Sequence, residues 1–354
     1  MTPIINLHIL AEKFTQLSSA AYFDTAFREF AQNTAAATLH VISHENQYDP
    51  AVVRAFEAQL WRVLQFISGS RSGDAPHEVQ YTLRKALKEW SINDALVSSA
   101  SLNQLDFFLD PLNLWDFIER TLHLFDASGY NKPLVRIASP EAYKNKPIFC
   151  IPLFHELGHY VDFQNQVTDA SILAVPPDTA PPGISAANWI ELNRNYRCEH
   201  FADLFAACYC GEAMSKSLLA IAPTNPNSFT HPSTSSRVSL VEDFLSGRPN
   251  KMIDILQAAL SARNLPSLMT RYKAPDLHPA YDDVLIYRIK NDAELFGIFL
   301  SAWNYLEEQS TARSAPWVIP SLDLPAIERT INDLTEKSIR NYEIKERWSV
   351  GAAN

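Results

Sequence analysis

Apolar residues recur at three- and four-residue intervals along most of the chain, which is the periodicity of one face of an α-helix. The clearest examples lie in residues 51–68 and 77–90, where the repeated positions are Val53, Phe56, Leu60, Leu64 and Ile67 in the first segment and Val79, Leu83, Leu87 and Trp90 in the second. The same periodicity predicts further helices over 186–210, 237–246, 250–264, 292–309 and 324–345. The pattern is typical of a mainly helical protein.

Interruptions of this pattern predict the loops and a small β element. Residues 133–139 (PLVRIAS) are the best strand candidate. Asp110 and Pro111 offer an N-cap and a first-turn proline for a helix after them. The proline-dense segment 175–183 and the polar segment 222–236 are predicted to be loops. The predicted fold class is therefore mainly α with a small β element (α+β).

Composition narrows the classes of partner. The chain has 354 residues, of which 47% are hydrophobic, and its 30 basic and 40 acidic residues give a net charge of −10. Such a surface repels phosphate backbones and anionic lipid, so neither nucleic acid nor membrane is expected as a partner. The first residues lack the pattern of a signal peptide, and no apolar run approaches the roughly 18–20 residues that span a bilayer. A cytoplasmic location is expected.

The cysteines do not indicate a disulfide framework. They lie in apolar or helical segments, at Cys150, Cys198, Cys208 and Cys210. The last two are separated by one residue, whereas a structural zinc site uses pairs with a two-residue gap. Plain buried thiols are therefore predicted.

The segment PLFHELGHYVDF (152–163) contains the pattern H-E-x-x-H. On a helix, His155 and His159 lie one turn apart on the same face, so both imidazoles can point at one metal ion. Zinc accepts neutral imidazole nitrogen at about 2.0–2.1 Å. Glu156, beside the first histidine, can take a proton from a metal-activated water and deliver it to a leaving amine. The pattern therefore predicts a catalytic zinc site.

The alternative is an ordinary helix with a solvated pair of histidines. Apolar residues surround the polar trio, which predicts a buried helix, and unpartnered buried imidazoles would be costly. Gly158 in the middle of the helix costs roughly 1 kcal/mol relative to alanine. Its presence predicts that another segment packs closely against that face.

A catalytic zinc site needs a third protein ligand. In RCEHFADLFAA (197–207), Glu199 and Asp203 are again four residues apart on a helix. Glu199 can bind the metal, and Asp203 can accept the second N–H of a ligating histidine. Asp162 is a rival, but it lies nearly two turns beyond His155. Glu191 is a weaker rival because no acidic residue follows it at the right spacing.

The pairing of HELGH (155–159) with EHFAD (199–203) resembles the gluzincin zinc metallopeptidases. The E-x-x-A-D form is similar to that of the membrane heat-shock protease and prenyl-protein protease family, and the pairing also resembles the phage-repressor-cleaving metallopeptidases. The segment THPSTSSRV (230–238) is similar to a third motif of the heat-shock-protease-like group. The resemblance covers 150–238, and this chain lacks the transmembrane helices of the members named for membranes.

The resemblance implies a zincin-like fold and a set of roles. His155, His159 and Glu199 would bind zinc, Glu156 would be general base and acid, and Asp203 would orient a ligand. His231 and Arg237 would lie near the active site and stabilise the oxyanion or the glutamate helix, although Arg237 could instead pair with Glu242 or Asp243. Three regions are then expected: an amino-terminal helical region (1–130), a metallopeptidase core (131–310) and a carboxy-terminal helical extension (311–354).

The sequence thus predicts a zinc-dependent peptidase with a protein or peptide substrate. The strand at 133–139 would be the edge strand that gluzincins keep before the active-site helix, where an extended substrate can add. One alternative is a zinc-binding sensor or interaction protein on a peptidase scaffold. Another is a latent peptidase that proteolysis or a partner activates. The substrate and the oligomeric state stay open.

Overall fold

The computed structural model describes residues 3–22, 24–72, 76–93, 95–103, 106–110, 114–122, 125–126 and 132–351. The chain forms two compact units. The first comprises Met1–Gln80 and Ile92–Lys144, and the second comprises Tyr81–Ser91 and Asn145–Asn354. This division groups the strand predicted at 133–139 with the amino-terminal helices, whereas the sequence suggests a boundary at residue 130.

In the first unit, helices pack around an apolar core beside a small sheet. Its elements are α1 (Pro3–Leu17), α2 (Ala26–Ser43), α3 (Pro50–Ser68), the start of α4 (His77–Glu89), β1 (Leu96–Leu102), β2 (Phe108–Asp110), α5 (Leu114–Thr121) and β3 (Leu134–Pro140). Phe14, Phe30 and Phe56 bring α1, α2 and α3 together in the core, each fully buried. The apolar faces predicted over 51–68 and 77–90 are confirmed, because every predicted position is buried except the half-buried Leu64.

The sheet has the strand order β1-β3-β2. Strand β3 pairs in parallel with β1 and antiparallel with β2, so that Ile137 lies opposite Ser99 on one side and Leu109 on the other. The strand predicted at 133–139 is confirmed to within one residue. Its predicted position at an edge, open to an extended substrate, is wrong because both of its neighbouring positions are already filled.

The sequence did not predict β1 and β2. Strand β1 (LVSSASL) carries three serines, and β2 is only three residues long. The helix predicted to follow Asp110 is described from Leu114 onward, and the predicted first-turn residue Pro111 lies outside the described residues. Asp110 ends β2, where its Oδ1 accepts a 2.9 Å hydrogen bond from the buried guanidinium of Arg136. The carboxylate therefore stabilises the sheet.

The second unit is helical in its described residues. It contains the rest of α4, α6 (Pro152–Asn165), α7 (Val167–Ala174), α8 (Ala186–Cys210), α9 (Ala213–Ile221), α10 (Thr234–Leu245), α11 (Lys251–Ala262), α12 (His278–Tyr281), α13 (Asp292–Thr311) and α14 (Leu324–Gly351). Aromatic rings join α6, α8 and α13, with the Tyr209 ring 6.0 Å from Phe154 and 4.8 Å from Phe296. Nowhere in the described ranges does a helix combine the length and apolar character needed to cross a membrane.

Side-chain caps explain why several helices begin where they do. Ser185, Ser233, Asn250 and Asn291 precede α8, α10, α11 and α13, and each accepts a backbone N–H from two or three residues further on. The bounds of α8 coincide with the predicted range. The other helices predicted from periodicity lie within three residues of their predicted ends, except that α14 continues to residue 351.

Helices α6 and α8 cross in close contact at Gly158. A Cβ atom on this glycine would lie 2.8 Å from the Cα of Ala202 and 3.1 Å from the Cβ of Phe205. The predicted close approach of another segment is therefore confirmed, and that segment is the helix that carries EHFAD.

Gly158→Ala is expected to destabilise the protein by about 1–3 kcal/mol, because the added methyl group overpacks the crossing. This outweighs the gain of about 1 kcal/mol in helix propensity. Urea denaturation would measure the change. Gln164→Ala, at an exposed position of the same helix, is the control and should stay within about 0.5 kcal/mol of wild type. Equal or greater stability of Gly158→Ala would contradict the close contact.

Candidate metal centre

Three side chains predicted as metal ligands converge on one point between α6 and α8. The Nε2 atoms of His155 and His159 are 3.0 Å apart. Glu199 Oε2 lies 3.5 Å from the first of these nitrogens, and Glu199 Oε1 lies 3.4 Å from the second. A tetrahedral zinc ion with ligands at about 2.0–2.1 Å keeps those ligands about 3.3–3.4 Å apart. The triangle of donor atoms therefore has the size that one zinc ion requires.

The buried carboxylate of Glu199 also indicates a cation. Its Oε2 is buried and accepts no hydrogen bond, although the Arg237 guanidinium lies 3.4 Å away. A buried carboxylate oxygen without a hydrogen bond costs free energy. A metal ion between Glu199 and the two imidazoles would remove that cost, so the residues present fit zinc. Within the described ranges, these three residues are the one group of His, Cys, Asp and Glu with metal-binding geometry.

Asp203 lies behind His155, as predicted from the spacing of EHFAD. Its Oδ1 is 2.9 Å from His155 Nδ1, on the side of the ring opposite the metal-facing Nε2. Burial by itself would lower the pKa of His155, but the nearby carboxylates of Asp203 and Glu199 outweigh it and raise that pKa to about 10. Asp203 therefore holds the proton of Nδ1, so the proton that must leave before metal binding is the one on Nε2.

Arg237, at the start of α10, is the cation that pairs with the carboxylates of the site. Its Nε and Nη2 each donate a 2.7 Å hydrogen bond to Asp203, whose side chain is fully buried. Burial alone would raise the pKa of Asp203, but the charge and hydrogen bonds of Arg237 lower it to about 2. The alternative partners proposed from sequence for Arg237 were Glu242 and Asp243, but both pair with Arg248. Arg237 pairs instead with Asp203 and Glu199.

Glu156 is half-buried on α6, next to His155 in the chain. Burial would lower the pKa of Arg237, but the negative charges of Asp203, Glu199 and Glu156 outweigh burial and raise that pKa above its ordinary value. The Glu156 carboxylate therefore lies within electrostatic reach of the same guanidinium. It does not belong to the group of ligand atoms, so a role in proton transfer would not compete with metal binding.

His231 lies at the exposed side of Glu199. Its Nε2 is 3.4 Å from Glu199 Oε1, and its side chain is 56% exposed. The loop before it is held to α8 by hydrogen bonds from Asn195 Nδ2 to the Phe229 carbonyl and from Tyr196 Oη to the Ser228 carbonyl. The sequence did not predict these two anchors, because no local pattern connects residues more than thirty positions apart.

The two rival ligands lie elsewhere. Asp162 Oδ1 accepts a 2.7 Å hydrogen bond from the backbone N–H of Thr168, at the start of α7. Glu191 is half-exposed and lies 3.9 Å from Arg194. Neither residue contributes an atom to the donor triangle.

One neighbour of the site was not predicted. Cys150, Cys208 and Cys210 are buried, in agreement with the prediction, but Cys198 is half-buried. Its Sγ lies 3.2 Å from His159 Nδ1. Its position directly before Glu199 is the only sequence signal that connects this thiol with the site.

Zinc affinity of the metal-free protein is expected to rise about tenfold per pH unit between pH 6 and 8. The pKa of His155 is raised to about 10 without metal, so at these pH values one proton must leave before Nε2 can bind. The affinity should level off only as the pH approaches that pKa. Competition with a chromophoric chelator of known pH dependence would measure the slope. A flat profile would contradict the protonated state assigned to His155.

Comparisons with known proteins found no match. No family model matches the chain, and neither does any curated protein or solved structure. The geometry and chemistry of the site are therefore the basis for any proposal of function.

Proposed function

We propose that this protein is a zinc-dependent metallopeptidase with a zincin-like core. The observation that carries the proposal is the convergence of two imidazole nitrogens and one carboxylate at 3.0–3.5 Å, with Glu156 beside them. A site that only stabilises a fold is typically closed by four protein ligands, whereas a catalytic site keeps one position open. Three protein donors next to a carboxylate outside the donor triangle favour catalysis.

His155, His159 and Glu199 would hold the zinc ion, which when bound would activate water and polarise the substrate carbonyl. Glu156 would accept the proton of the attacking water and pass it to the leaving amine. His231, half-exposed beside Glu199, would donate its ring N–H to the carbonyl oxygen as negative charge develops there.

Arg237 and Asp203 would keep this arrangement fixed. The guanidinium offsets part of the negative charge of the three carboxylates of Glu156, Glu199 and Asp203. Asp203 fixes the ring of His155 from behind. A preorganised site of this kind does not need to rearrange when charge develops during the reaction.

The alternative is a zinc-binding sensor or interaction protein on the same scaffold. Glu156 argues against it, because a purely structural site needs no base. The exposure of His231 supports the same conclusion, since a substrate can reach the edge of the site from solvent. A latent form that becomes active after proteolysis or partner binding stays compatible with this geometry.

Removal of the metal tests the proposal. The purified protein is expected to carry about one zinc ion and to cleave members of a mixed peptide library. Dialysis against a chelator should abolish cleavage, and one equivalent of zinc should restore it. Metal content by mass spectrometry and cleavage products by liquid chromatography would measure both effects.

The outcomes separate the candidate functions. Zinc at one equivalent without cleavage of any peptide would favour the sensor. Cleavage that appears only after limited proteolysis of the protein would favour the latent form. Cleavage that persists unchanged in the metal-free protein would exclude a zinc-dependent mechanism.

A further inference from the structure

The two metal-facing imidazoles have different groups behind them. His155 Nδ1 lies 2.9 Å from the carboxylate of Asp203. His159 Nδ1 instead lies 3.2 Å from the sulfur of Cys198. A histidine that binds a metal through Nε2 carries its proton on Nδ1, and the acceptor of that proton fixes the orientation of the ring. The sulfur of Cys198 occupies the acceptor position for His159.

The thiol of Cys198 can act as this acceptor. A thiol carries a weak S–H donor and sulfur lone pairs that accept weakly. At the observed 3.2 Å, the sulfur can therefore accept the Nδ1–H of His159.

We propose that Cys198 is a positioning residue that fixes the tautomer and ring orientation of the metal ligand His159. This inference rests on the proposed zinc site. The two imidazoles then have different hydrogen-bond acceptors at Nδ1: an ionised carboxylate for His155 and a neutral thiol for His159. A neutral acceptor contributes less than a charged one, so the effect of losing Cys198 is expected at the lower end of the range for such partners.

Cys198 is not a ligand in this arrangement. Its sulfur lies at Nδ1 of His159, whereas Nε2 of the same ring faces Glu199 and His155. A cobalt-substituted protein should therefore show no thiolate-to-cobalt charge-transfer band. The ligand-field bands of cobalt report the geometry of the bound ligands and should change when the orientation of His159 is released.

The test compares metal binding by three variants with that of wild type. Cys198→Ala removes the acceptor and should weaken zinc binding about tenfold, at the low end of the 10- to 100-fold typical of such partners. Cys198→Ser keeps a hydroxyl that can both donate and accept, and should recover part of the loss. Cys210→Ala removes a buried thiol from the same helix, three turns further on, and should bind zinc like wild type.

Each outcome bears on a different statement. Wild-type affinity and an unchanged cobalt spectrum in Cys198→Ala would overturn the positioning role alone, and a thiolate band in the wild type would replace it with ligation. A wild-type protein that binds no zinc would overturn the proposed function, and this inference with it. Circular dichroism would establish that each variant is folded. If Cys198→Ala is not folded, Cys198→Ser decides, and a cobalt spectrum and zinc affinity identical to those of wild type would then count against the proposal.

Discussion

Glu156→Gln is expected to reduce peptide cleavage about 10²- to 10⁴-fold, the usual contribution of a general base and acid, while zinc stays bound. The substitution keeps the size and shape of the side chain but removes the group that accepts the proton. Zinc should remain because the donor triangle consists of His155, His159 and Glu199. Cleavage rates on a peptide identified from the library, together with metal content, would measure the two effects separately.

The control for this prediction is Glu191→Gln. Glu191 is a half-exposed carboxylate on the same helix as Glu199 and lies outside the donor triangle. The Glu191→Gln variant should have the same cleavage rate and zinc content as wild type. If Glu156→Gln cleaves peptides at the wild-type rate, the role of Glu156 as base is wrong, whereas loss of zinc in that variant would mean that Glu156 contributes to metal binding.

Arg237→Met is expected to destabilise the metal-free protein by about 3 kcal/mol, the lower end for breaking a buried ion pair, because the buried carboxylate of Asp203 keeps only the protonated ring of His155 as a cationic partner. Asp203 is fully buried and receives two 2.7 Å hydrogen bonds from Arg237. Arg237→Lys keeps the charge but loses the two parallel donors, so a smaller loss is expected. Urea denaturation of chelator-treated protein would give both values.

The loss should depend on pH in a defined direction. The native pKa of Asp203 is about 2, below the ordinary value of 3.8. A carboxyl with a lowered native pKa stabilises the folded state above its unfolded pKa, and this contribution disappears as the pH falls. The contribution of Asp203 to wild-type stability should therefore be lost as the pH falls from 3.8 toward 2. The difference between wild type and Arg237→Met should be largest near neutral pH and shrink at acid pH.

Arg248→Met provides the matched control for Arg237→Met. Arg248 pairs with Asp243 at 2.8 Å, but its side chain is 55% exposed. An exposed ion pair contributes about 0–1 kcal/mol, so little change is expected. A loss in Arg237→Met no larger than this would mean that Asp203 does not depend on its buried partner.

The parts of the site that the sequence predicts are those defined by local spacing. His155 and His159 are one helical turn apart, as are Glu199 and Asp203, and the helical pattern over 186–210 predicts the helix of the second pair. Helix α8 in particular begins at a serine cap and keeps its predicted bounds. Position along a helix determines the direction of each side chain, so spacing alone is enough to group the residues within each pair.

Contacts between distant segments were harder to predict. Arg237 lies 34 residues from Asp203, and only the resemblance of THPSTSSRV to a known motif suggested that it belongs near the site. The thiol of Cys198 faces His159 across 39 residues, and no spacing rule connects them. Strand β1 was missed because serine-rich sequence has no strong β signal, and its pairing with β3 depends on residues about forty positions away.

The segment HELGH combines a chemical and a packing requirement. Three of its residues have the chemical roles proposed above, whereas Gly158 is required because two helix backbones lie close together. The atom nearest to a side chain at position 158 would be the Cα of Ala202, not a side-chain atom. Every residue has a Cα atom, so no substitution at position 202 would make room for a side chain at position 158. A search for other chains with this pair of helices should therefore require glycine at that position as strictly as it requires the histidines, even though the glycine touches no metal and no substrate.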